Sequence, residues 1–330
     1  MGREPAVTTP APVAPAAPRV PRAFQRLAWG SLVYTILVVL FGAWVRITGS
    51  GAGCGQHWPT CHGEVVPRAP SVATMIEFTH RASSGIYGFV ILALVIAAFR
   101  FFPRGSWARR GALLALLFTI TEALVGARLV LLGLVADNDS VDRAIWMAVH
   151  LVNTSLLTGS VALTCWAGAA APVGGARRPL GGLGWALVGG LAGLLLVGVT
   201  GAVTALGDTL FPVDTGGAFI DRIGADHSPT AHFLQRLRVM HPLLSIGVGL
   251  ALLVLAQAAA DRRRSEAVRR WARATGIAVI AQVAAGVANI LLSAPGWMQI
   301  VHLLLANVLW LALIFLALST LRAPAGEPRG

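Results

Sequence analysis

The chain has 330 residues, of which 56% are hydrophobic and only 12% are charged. This composition excludes an ordinary soluble domain and is typical of proteins with many membrane-spanning helices. The net charge is +12, and arginine supplies all of the positive charge because the chain contains no lysine. Nucleic-acid-binding proteins can be equally basic, but the distribution of the arginines favours another explanation.

A segment rich in Pro and Ala comes first, and we predict that residues 1–25 form a disordered cytoplasmic tail rather than a cleaved signal peptide. Eight long apolar segments follow, each able to cross a hydrocarbon core of about 30 Å as a helix. No alternating β pattern is visible, so the predicted fold is an all-α membrane protein with eight transmembrane helices. The predicted spans are 27–47, 77–99, 111–135, 145–170, 182–206, 239–260, 274–293 and 298–321.

Charge is distributed unevenly between the connections that join these spans. Arginines are concentrated in the N-terminal tail and after the second, fourth and sixth spans, whereas aspartates are concentrated in the alternate connections. The positive-inside rule then predicts a multi-pass plasma-membrane protein whose N- and C-termini are cytoplasmic. Because this distribution accounts for the basic charge, we expect no nucleic-acid partner.

Short glycine-containing motifs recur in the two halves of the chain. The first span carries Gly42-Ala43-Trp44-Val45 and the fifth carries Gly201-Ala202-Val203-Thr204, while Gly126 and Gly286 lie in comparable places in the third and seventh. These glycines either permit close helix contacts or let a flat macrocycle lie against the helix backbone. The repeat predicts two tandem four-helix bundles related by internal duplication, over residues 26–175 and 176–322, with a cytoplasmic tail at 323–330.

Each even-numbered span carries one histidine near its start, namely His80, His150, His241 and His302. Alternation of direction places all four at one depth on one side of the membrane. An imidazole in apolar surroundings is costly unless it is paired, bound to metal or next to a polar cavity. The pattern predicts two pairs of axial haem ligands, the first two histidines in one bundle and the last two in the other. A lone histidine bonded to a backbone carbonyl is the alternative, and zinc fits less well because its sites need clustered ligands.

Polar residues flank these histidines. Glu77, Arg238 and Gln299 each lie three residues before one of them, and residues at this spacing share a helix face. We therefore expect them to point towards the same sites. Arg81 and Arg238 are candidates for binding haem propionates, or alternatively they extend to lipid headgroups.

Glu77 is the most distinctive single residue. A carboxylate near the start of a helix suits the helix dipole. Beside an iron site, it would instead move protons or stabilise positive charge during an oxidation. We favour the chemical role because only the first predicted site has a carboxylate at this position.

Cys54 and Cys61 flank a short stretch of the first outer loop. On the oxidising side of a membrane, cysteines this close are typical of a disulfide. The short ring stabilises the fold only modestly, so a redox or loop-shaping role stays open. Cys165 is interpreted as an apolar core residue. Four outer-loop histidines have no strong metal-site spacing and are expected to face solvent or to have no assignable role: His57, His62, His227 and His232.

The first outer loop resembles that of bacterial haem A synthases. The resemblance rests on Thr48-Gly49-Ser50-Gly51-Ala52-Gly53-Cys54, Trp58-Pro59 and Cys61-His62-Gly63. The sequence Glu77-x-x-His80-Arg81 is similar to the most recognisable motif of the same family. The resemblance extends from about Arg26 to Leu321, although the single histidines of the later spans are weak evidence alone.

This resemblance implies that the chain oxidises the C8 methyl of haem O to a formyl group by successive hydroxylations. It also implies that His241 and His302 hold a permanent haem b that relays electrons. His80 and His150 would then lie at the iron of the substrate haem O, with Glu77 close to the reaction. Paired loop cysteines occur in only some branches of the family, and the long loop over residues 208–231 departs from its pattern.

The implied partners are haem O, a haem O synthase (a farnesyltransferase) and assembly factors of terminal oxidases. The electron donor is not identified by the sequence, and a quinol is one candidate. Two other functions compete with haem A synthesis. A di-haem cytochrome b for quinone-linked electron transfer would explain the four histidines but not Glu77 or the cysteine loop. A haem carrier or transporter would suit a two-repeat architecture, but its helices would more naturally be broken at mid-membrane.

Overall fold

The computed structural model of the protein describes residues 21–169, 180–212, 226, 228, 230–263 and 265–322. Eight helices in these ranges are long and apolar enough to cross a membrane, and the same ranges contain no β-strand. The prediction of an all-α fold with eight transmembrane helices is confirmed. The helices are α1 (Arg22–Ile47), α2 (Val72–Phe101), α3 (Trp107–Leu131), α4 (Val141–Ala169), α5 (Gly182–Leu210), α6 (Phe233–Arg262), α7 (Glu266–Leu291) and α8 (Gly296–Thr320).

Several helices begin earlier than their apolar patterns predict. Helix α1 includes Arg22 to Gln25, which the sequence assigned to the tail, because Phe24 is buried and packs on Phe102 with ring centroids 4.7 Å apart. Helix α2 begins after Ser71, whose hydroxyl accepts the backbone N–H of Thr74 at 3.1 Å and caps the helix. A buried aromatic ring and a side-chain cap set these two starts, and neither is part of the apolar pattern, so the sequence places both helix starts five residues too late. Residues 1–20 of the tail predicted over 1–25, and the whole tail predicted over 323–330, lie outside the described residues.

The helices pack in two groups of four. In the first group α1 contacts α2 and α4, and α3 contacts α2 and α4; in the second group α5 contacts α6 and α8, and α7 contacts α6 and α8. Each group has its own buried apolar cluster. The packing is that of two four-helix bundles arranged in the same cyclic order, while their origin by internal duplication stays a prediction.

The two bundles are joined through α1, α4, α5 and α8. The indole N–H of Trp310 on α8 donates to the carbonyl of Ser155 on α4 at 2.9 Å. Nearer the His-bearing ends of the helices, the Arg46 guanidinium of α1 donates to the Ala205 carbonyl at 2.7 Å and to Gln299 Oε1 at 2.9 Å. The Ala205 carbonyl belongs to the last turns of α5, where a cation is favoured by the helix dipole, and Gln299 belongs to α8. The bundles are therefore linked by polar contacts at two levels.

Within the first bundle, α3 and α4 approach closely at Gly111. A Cβ atom built there would lie 2.6 Å from Thr164 Oγ1 and 3.0 Å from the Ser160 carbonyl oxygen, which is a backbone atom. Gly88 of α2 is different, because a Cβ atom there meets nothing within 4 Å. Only the first of these two glycines is required by helix packing.

We predict that Gly111→Ala destabilises the protein by roughly 1–3 kcal/mol because the added methyl overpacks the α3–α4 contact. Gly88→Ala is the matched control. It should leave stability unchanged or raise it, since alanine favours a helix over glycine by about 1 kcal/mol. Thermal unfolding of both variants in the same detergent is the measurement. Equal melting temperatures for the two variants would show that α3 and α4 do not depend on this glycine.

Candidate functional site

The four histidines of the even-numbered helices lie close to the beginnings of those helices. His80 follows Val72, the start of α2, by eight residues, and His150 follows Val141, the start of α4, by nine. In the second bundle His241 and His302 occupy similar places in α6 and α8. With a rise of about 1.5 Å per residue, all four lie at a similar depth near one end of the bundles.

His241 and His302 form a close pair inside the second bundle. Their ring centroids are 6.4 Å apart and the ring planes are nearly perpendicular, at 87°. Metal–imidazole bonds are about 2 Å long, and a ring centre lies about 1 Å behind its bonding nitrogen, so two rings bound to opposite sides of one metal ion have centroids about 6 Å apart. The observed spacing matches this distance, and the role of the two histidines as axial ligands stays a prediction.

In the first bundle, His80 lies within electrostatic range of His150 and of Glu122. The ring of His80 packs edge-on against Phe41 of α1, with ring centroids 5.4 Å apart. Nδ1 of His150 lies 3.4 Å from Oε1 of Glu122. Both histidines thus lie in the first bundle, and their pairing at one haem iron stays a prediction.

Three glycines lie directly against the histidine rings. A Cβ atom at Gly42 would lie 3.2 Å from Cε1 of His80, one at Gly201 would lie 2.9 Å from Cε1 of His241, and one at Gly286 would lie 3.2 Å from Cε1 of His302. Two explanations were open for the glycine motifs, close helix contact or space for a macrocycle. At these positions the space is occupied by an imidazole from the neighbouring helix.

The polar atoms of the sites suit a bound group. Nδ1 of His80 and Nδ1 of His302 are buried and have no hydrogen-bond partner among the described residues, whereas Nδ1 of His150 has the Glu122 carboxylate 3.4 Å away. His241 differs, because its Nδ1 lies 3.1 Å from the Thr200 hydroxyl and its Nε2 is left for another partner. Within the described ranges no three His, Cys, Asp or Glu residues cluster as a metal site. Pairs of imidazoles without further protein ligands fit haem, whose macrocycle supplies the other iron ligands.

Glu122 is a site residue that the sequence analysis missed. Its carboxylate lies inside the first bundle and accepts hydrogen bonds from Thr154 and Asn153 of α4, in addition to its contact with His150. The signal was present in the sequence, because a charged residue in the middle of an apolar span is by default a functional candidate.

Glu77 and Arg81 attach the cysteine loop to α2. Glu77 is buried, its Oε2 accepts the backbone N–H of Cys54 at 2.8 Å, and its Oε1 pairs with Arg81. Arg81 also donates to the carbonyls of His57 and Thr60, at 2.6 and 2.9 Å. Breaking one partner of such a buried pair is costly. The structure therefore gives Glu77 a loop-anchoring role that differs from the helix-dipole alternative considered from sequence.

Arg238 and Gln299 bind groups other than the histidine pair they precede. The guanidinium of Arg238 pairs with Asp208 at 2.9 Å and Asp226 at 3.1 Å, and it donates to the Gly207 carbonyl at 2.9 Å. Gln299 accepts from Arg46. The side chain of Arg238 is only 11% exposed and that of Arg81 only 13%. Neither arginine therefore extends to headgroups, and their binding of haem propionates stays a prediction.

The structure also describes all three cysteines and three of the four outer-loop histidines. Cys54 and Cys61 form a disulfide, as predicted. Cys165 is buried in the core of the first bundle, also as predicted. His57 and His62 are exposed, as expected, and His232 caps the short helical turn at the start of α6. His227 lies outside the described residues, as does most of the loop over 208–231.

The fold and the site together define a multi-pass helical membrane protein with a pair of histidines in each of two four-helix bundles. The family model of the cytochrome oxidase assembly proteins, COX15-CtaA, matches residues 25–314. The chain belongs to this family.

The relatives that the chain resembles carry two different names. The chain is 52% identical over 307 residues to a protein of Thermus thermophilus named protoheme IX farnesyltransferase, a match that covers 92% of this chain and 50% of the relative. It is also 44% identical over 92 residues to a heme A synthase of Exiguobacterium sibiricum, covering 28% of this chain and 31% of the relative. A heme A synthase of Halalkalibacterium halodurans is 42% identical over 98 residues, covering 30% and 33%. The chain thus spans about half the length of the Thermus relative. Its matches to the two heme A synthases cover 31% and 33% of those proteins.

We predict that a membrane-impermeant maleimide added to intact cells labels Cys54 and Cys61 only after reduction. Their sulfurs are joined in a disulfide, and the predicted topology places the loop outside the cytoplasm. Cys165, 2% exposed in the core of the first bundle, is the internal control and should stay unlabelled throughout. Mass spectrometry of the purified protein counts the labels. Labelling of both loop cysteines without reductant would contradict the disulfide.

Proposed function

We propose that this protein is a haem A synthase, an oxidoreductase that converts the C8 methyl of haem O to a formyl group. Each of two hydroxylations is a two-electron oxidation that adds one oxygen atom and needs an external oxidant, and the resulting gem-diol loses water to give the aldehyde. The observation that carries the proposal is a histidine near the start of each even-numbered helix, with a buried carboxylate, Glu77, three residues before His80 where the second bundle has Arg238 before His241. Membership of the cytochrome oxidase assembly family and the naming of relatives as heme A synthases support it.

In this proposal the first bundle binds the substrate. His80 of α2 and His150 of α4 would bind the iron of haem O and orient the substrate. A farnesyl-bearing haem is soluble only in a membrane, and a site between transmembrane helices is open to such a substrate. Precise placement of the reacting methyl is itself a large part of catalysis.

His241 and His302 of the second bundle would hold haem b, and their 6.4 Å centroid spacing suits one metal ion between them. When bound, haem b supplies the one-electron chemistry that side chains lack. Thr200 orients His241 by contacting its Nδ1, which leaves Nε2 for the metal. Gly201 and Gly286 leave room for the two rings against α5 and α7.

Glu77 would accept or donate a proton near the methyl group as it is oxidised. Its carboxylate is held by the Cys54 N–H and by Arg81, so its position is fixed before substrate arrives. The same two contacts place the disulfide loop over the end of α2. We infer that the loop closes the substrate site on its outer side and keeps water from the reacting carbon.

The family and the relatives also suggest where this protein acts. We infer that its substrate comes from a protoheme IX farnesyltransferase working beside it, because the Thermus relative that it matches over half its length carries that name. The product would be used in the assembly of a terminal oxidase, with a quinol as a candidate electron donor. The arginine distribution supports placement in the plasma membrane with both termini in the cytoplasm.

The direct test is pigment analysis of membranes from cells that make haem O, with and without this protein. Haem A or its hydroxylated precursor should appear only when the protein is present. Unchanged haem O together with two reversible redox centres would favour the di-haem cytochrome instead. Unchanged haem O with no redox centre would favour a carrier.

We predict that Glu77→Gln lowers haem A formation in this assay by about a hundredfold, the scale expected for loss of an acid–base group. Haem b should be retained, because its proposed ligands lie in the other bundle. Haem O or its alcohol should accumulate.

The control for Glu77→Gln is Thr74→Val. The hydroxyl of Thr74 donates to the Gly53 carbonyl at 2.7 Å, so this variant weakens the same loop without touching the carboxylate. It should keep most of the activity. If both variants lose activity equally, Glu77 acts only as a loop anchor, and a normal rate for Glu77→Gln would remove it from the reaction.

A further inference from the structure

A matched pair of polar residues contacts the histidines of α4 and α8. Glu122 of α3 lies nine residues before Leu131, the last residue of its helix, and Gln282 of α7 lies nine residues before Leu291, the last residue of its own. Glu122 contacts His150 of the next helix, and Gln282 contacts His302 of the next helix. The same helix position in each bundle therefore contacts the last histidine of that bundle.

The two contacts differ in charge. In the first bundle a carboxylate oxygen lies 3.4 Å from Nδ1 of His150. In the second bundle the amide group of Gln282 lies 3.1 Å from Nε2 of His302. The assignment of amide nitrogen and oxygen rests on the hydrogen-bond network, but in either orientation the amide is neutral. One histidine is thus accompanied by an acidic group and the other by a neutral one.

Glu122 is held in place for this contact. Oε1 accepts the hydroxyl of Thr154, Oε2 accepts the amide of Asn153, and that amide also donates to the Phe118 carbonyl at 2.9 Å. The single hydrogen of the Thr154 hydroxyl is shared with the carbonyl of His150, which lies 2.8 Å from Oγ1. A carboxylate with these partners cannot easily turn away from the imidazole. Removing it from water is costly, so its presence at this depth calls for a role.

We propose that Glu122 is a positioning residue that sets the reduction potential of the haem iron bound by His80 and His150, and that Gln282 leaves the second iron at a higher potential. A carboxylate next to the outer nitrogen of a ligating imidazole orients the ring and increases its electron donation to the metal. Greater donation stabilises the ferric state and lowers the potential. The amide of Gln282 orients His302 with less donation. This inference rests on the proposed function, since it requires a haem in each bundle.

The consequence is a chemical difference between two sites that are built alike. Both bundles present two histidines from corresponding helices, with the polar partner at Nδ1 of His150 in one and at Nε2 of His302 in the other. A charged partner in one bundle and a neutral one in the other separates the potentials without changing the ligands. The substrate iron and the relay iron can then differ in their preferred oxidation state.

The experiment is a reciprocal exchange, Glu122→Gln and Gln282→Glu, followed by spectroscopic redox titration of the purified haem-loaded protein. Glu122→Gln should shift the redox equilibrium of the first-bundle haem about tenfold towards the reduced form. For a one-electron couple, this raises the reduction potential by about 59 mV. Gln282→Glu should lower the potential of the second-bundle haem by a similar amount. Each variant should leave the other haem unchanged.

Thr154→Val is the control, because it removes one hydrogen bond to Glu122 while keeping the carboxylate. It should shift the potential by less than a third of the Glu122→Gln shift. An equal shift would attribute the effect to packing and overturn the proposal. If Glu122→Gln fails to fold, Gln282→Glu decides alone, and an unchanged second potential overturns the proposal.

His80→Ala separates this inference from the proposed function. If the variant removes one haem component from the spectrum, the first bundle binds haem, and unchanged potentials in the exchanges then overturn only the role of Glu122. If His80→Ala removes no component, the substrate site is wrong and the inference fails with it.

Discussion

The structure depends on one constraint, the cost of placing an imidazole inside a membrane bundle. Each of the four rings needs a partner at its outer nitrogen and space for its plane. Neighbouring helices meet these needs: Gly42, Gly201 and Gly286 provide space, while Thr200 provides a polar contact for His241. Nδ1 of His80 and Nδ1 of His302 are buried and have no hydrogen-bond partner among the described residues. Under the proposed function, binding of iron would satisfy imidazole nitrogens that the helices leave without a partner.

A second consequence is the contrast between two bundles that share one plan. The packing order of the helices is the same in both, and the glycine contacts recur. The differences are in the charged residues. The first bundle contains two carboxylates near its histidines, Glu77 and Glu122, whereas the corresponding positions of the second carry Arg238 and Gln282. Reaction in one bundle and electron relay in the other is the division that this asymmetry supports.

Much of this arrangement was predictable from the sequence. Apolar length identified eight helices, and cysteine spacing on the oxidising side identified the Cys54–Cys61 disulfide. The spacing of three residues between a polar residue and the following histidine was less informative. It shows that two side chains share a helix face, but not which neighbouring helix that face contacts. Arg238 and Gln299 illustrate this limit, since the last turn of α5 and Arg46 of α1 bind them instead. Glu122 was missed because its partners come from another helix, although a charge inside an apolar span was a visible signal.

The central claim is that each bundle holds one haem between its two histidines, and the haem content of single-histidine variants tests it most directly. His241→Ala and His302→Ala should each remove the low-spin haem b spectrum while the protein still inserts in the membrane and still takes up haem O. His80→Ala and His150→Ala should keep haem b and lose haem O binding. A full b-type spectrum in the His241→Ala, His302→Ala double variant would contradict the account.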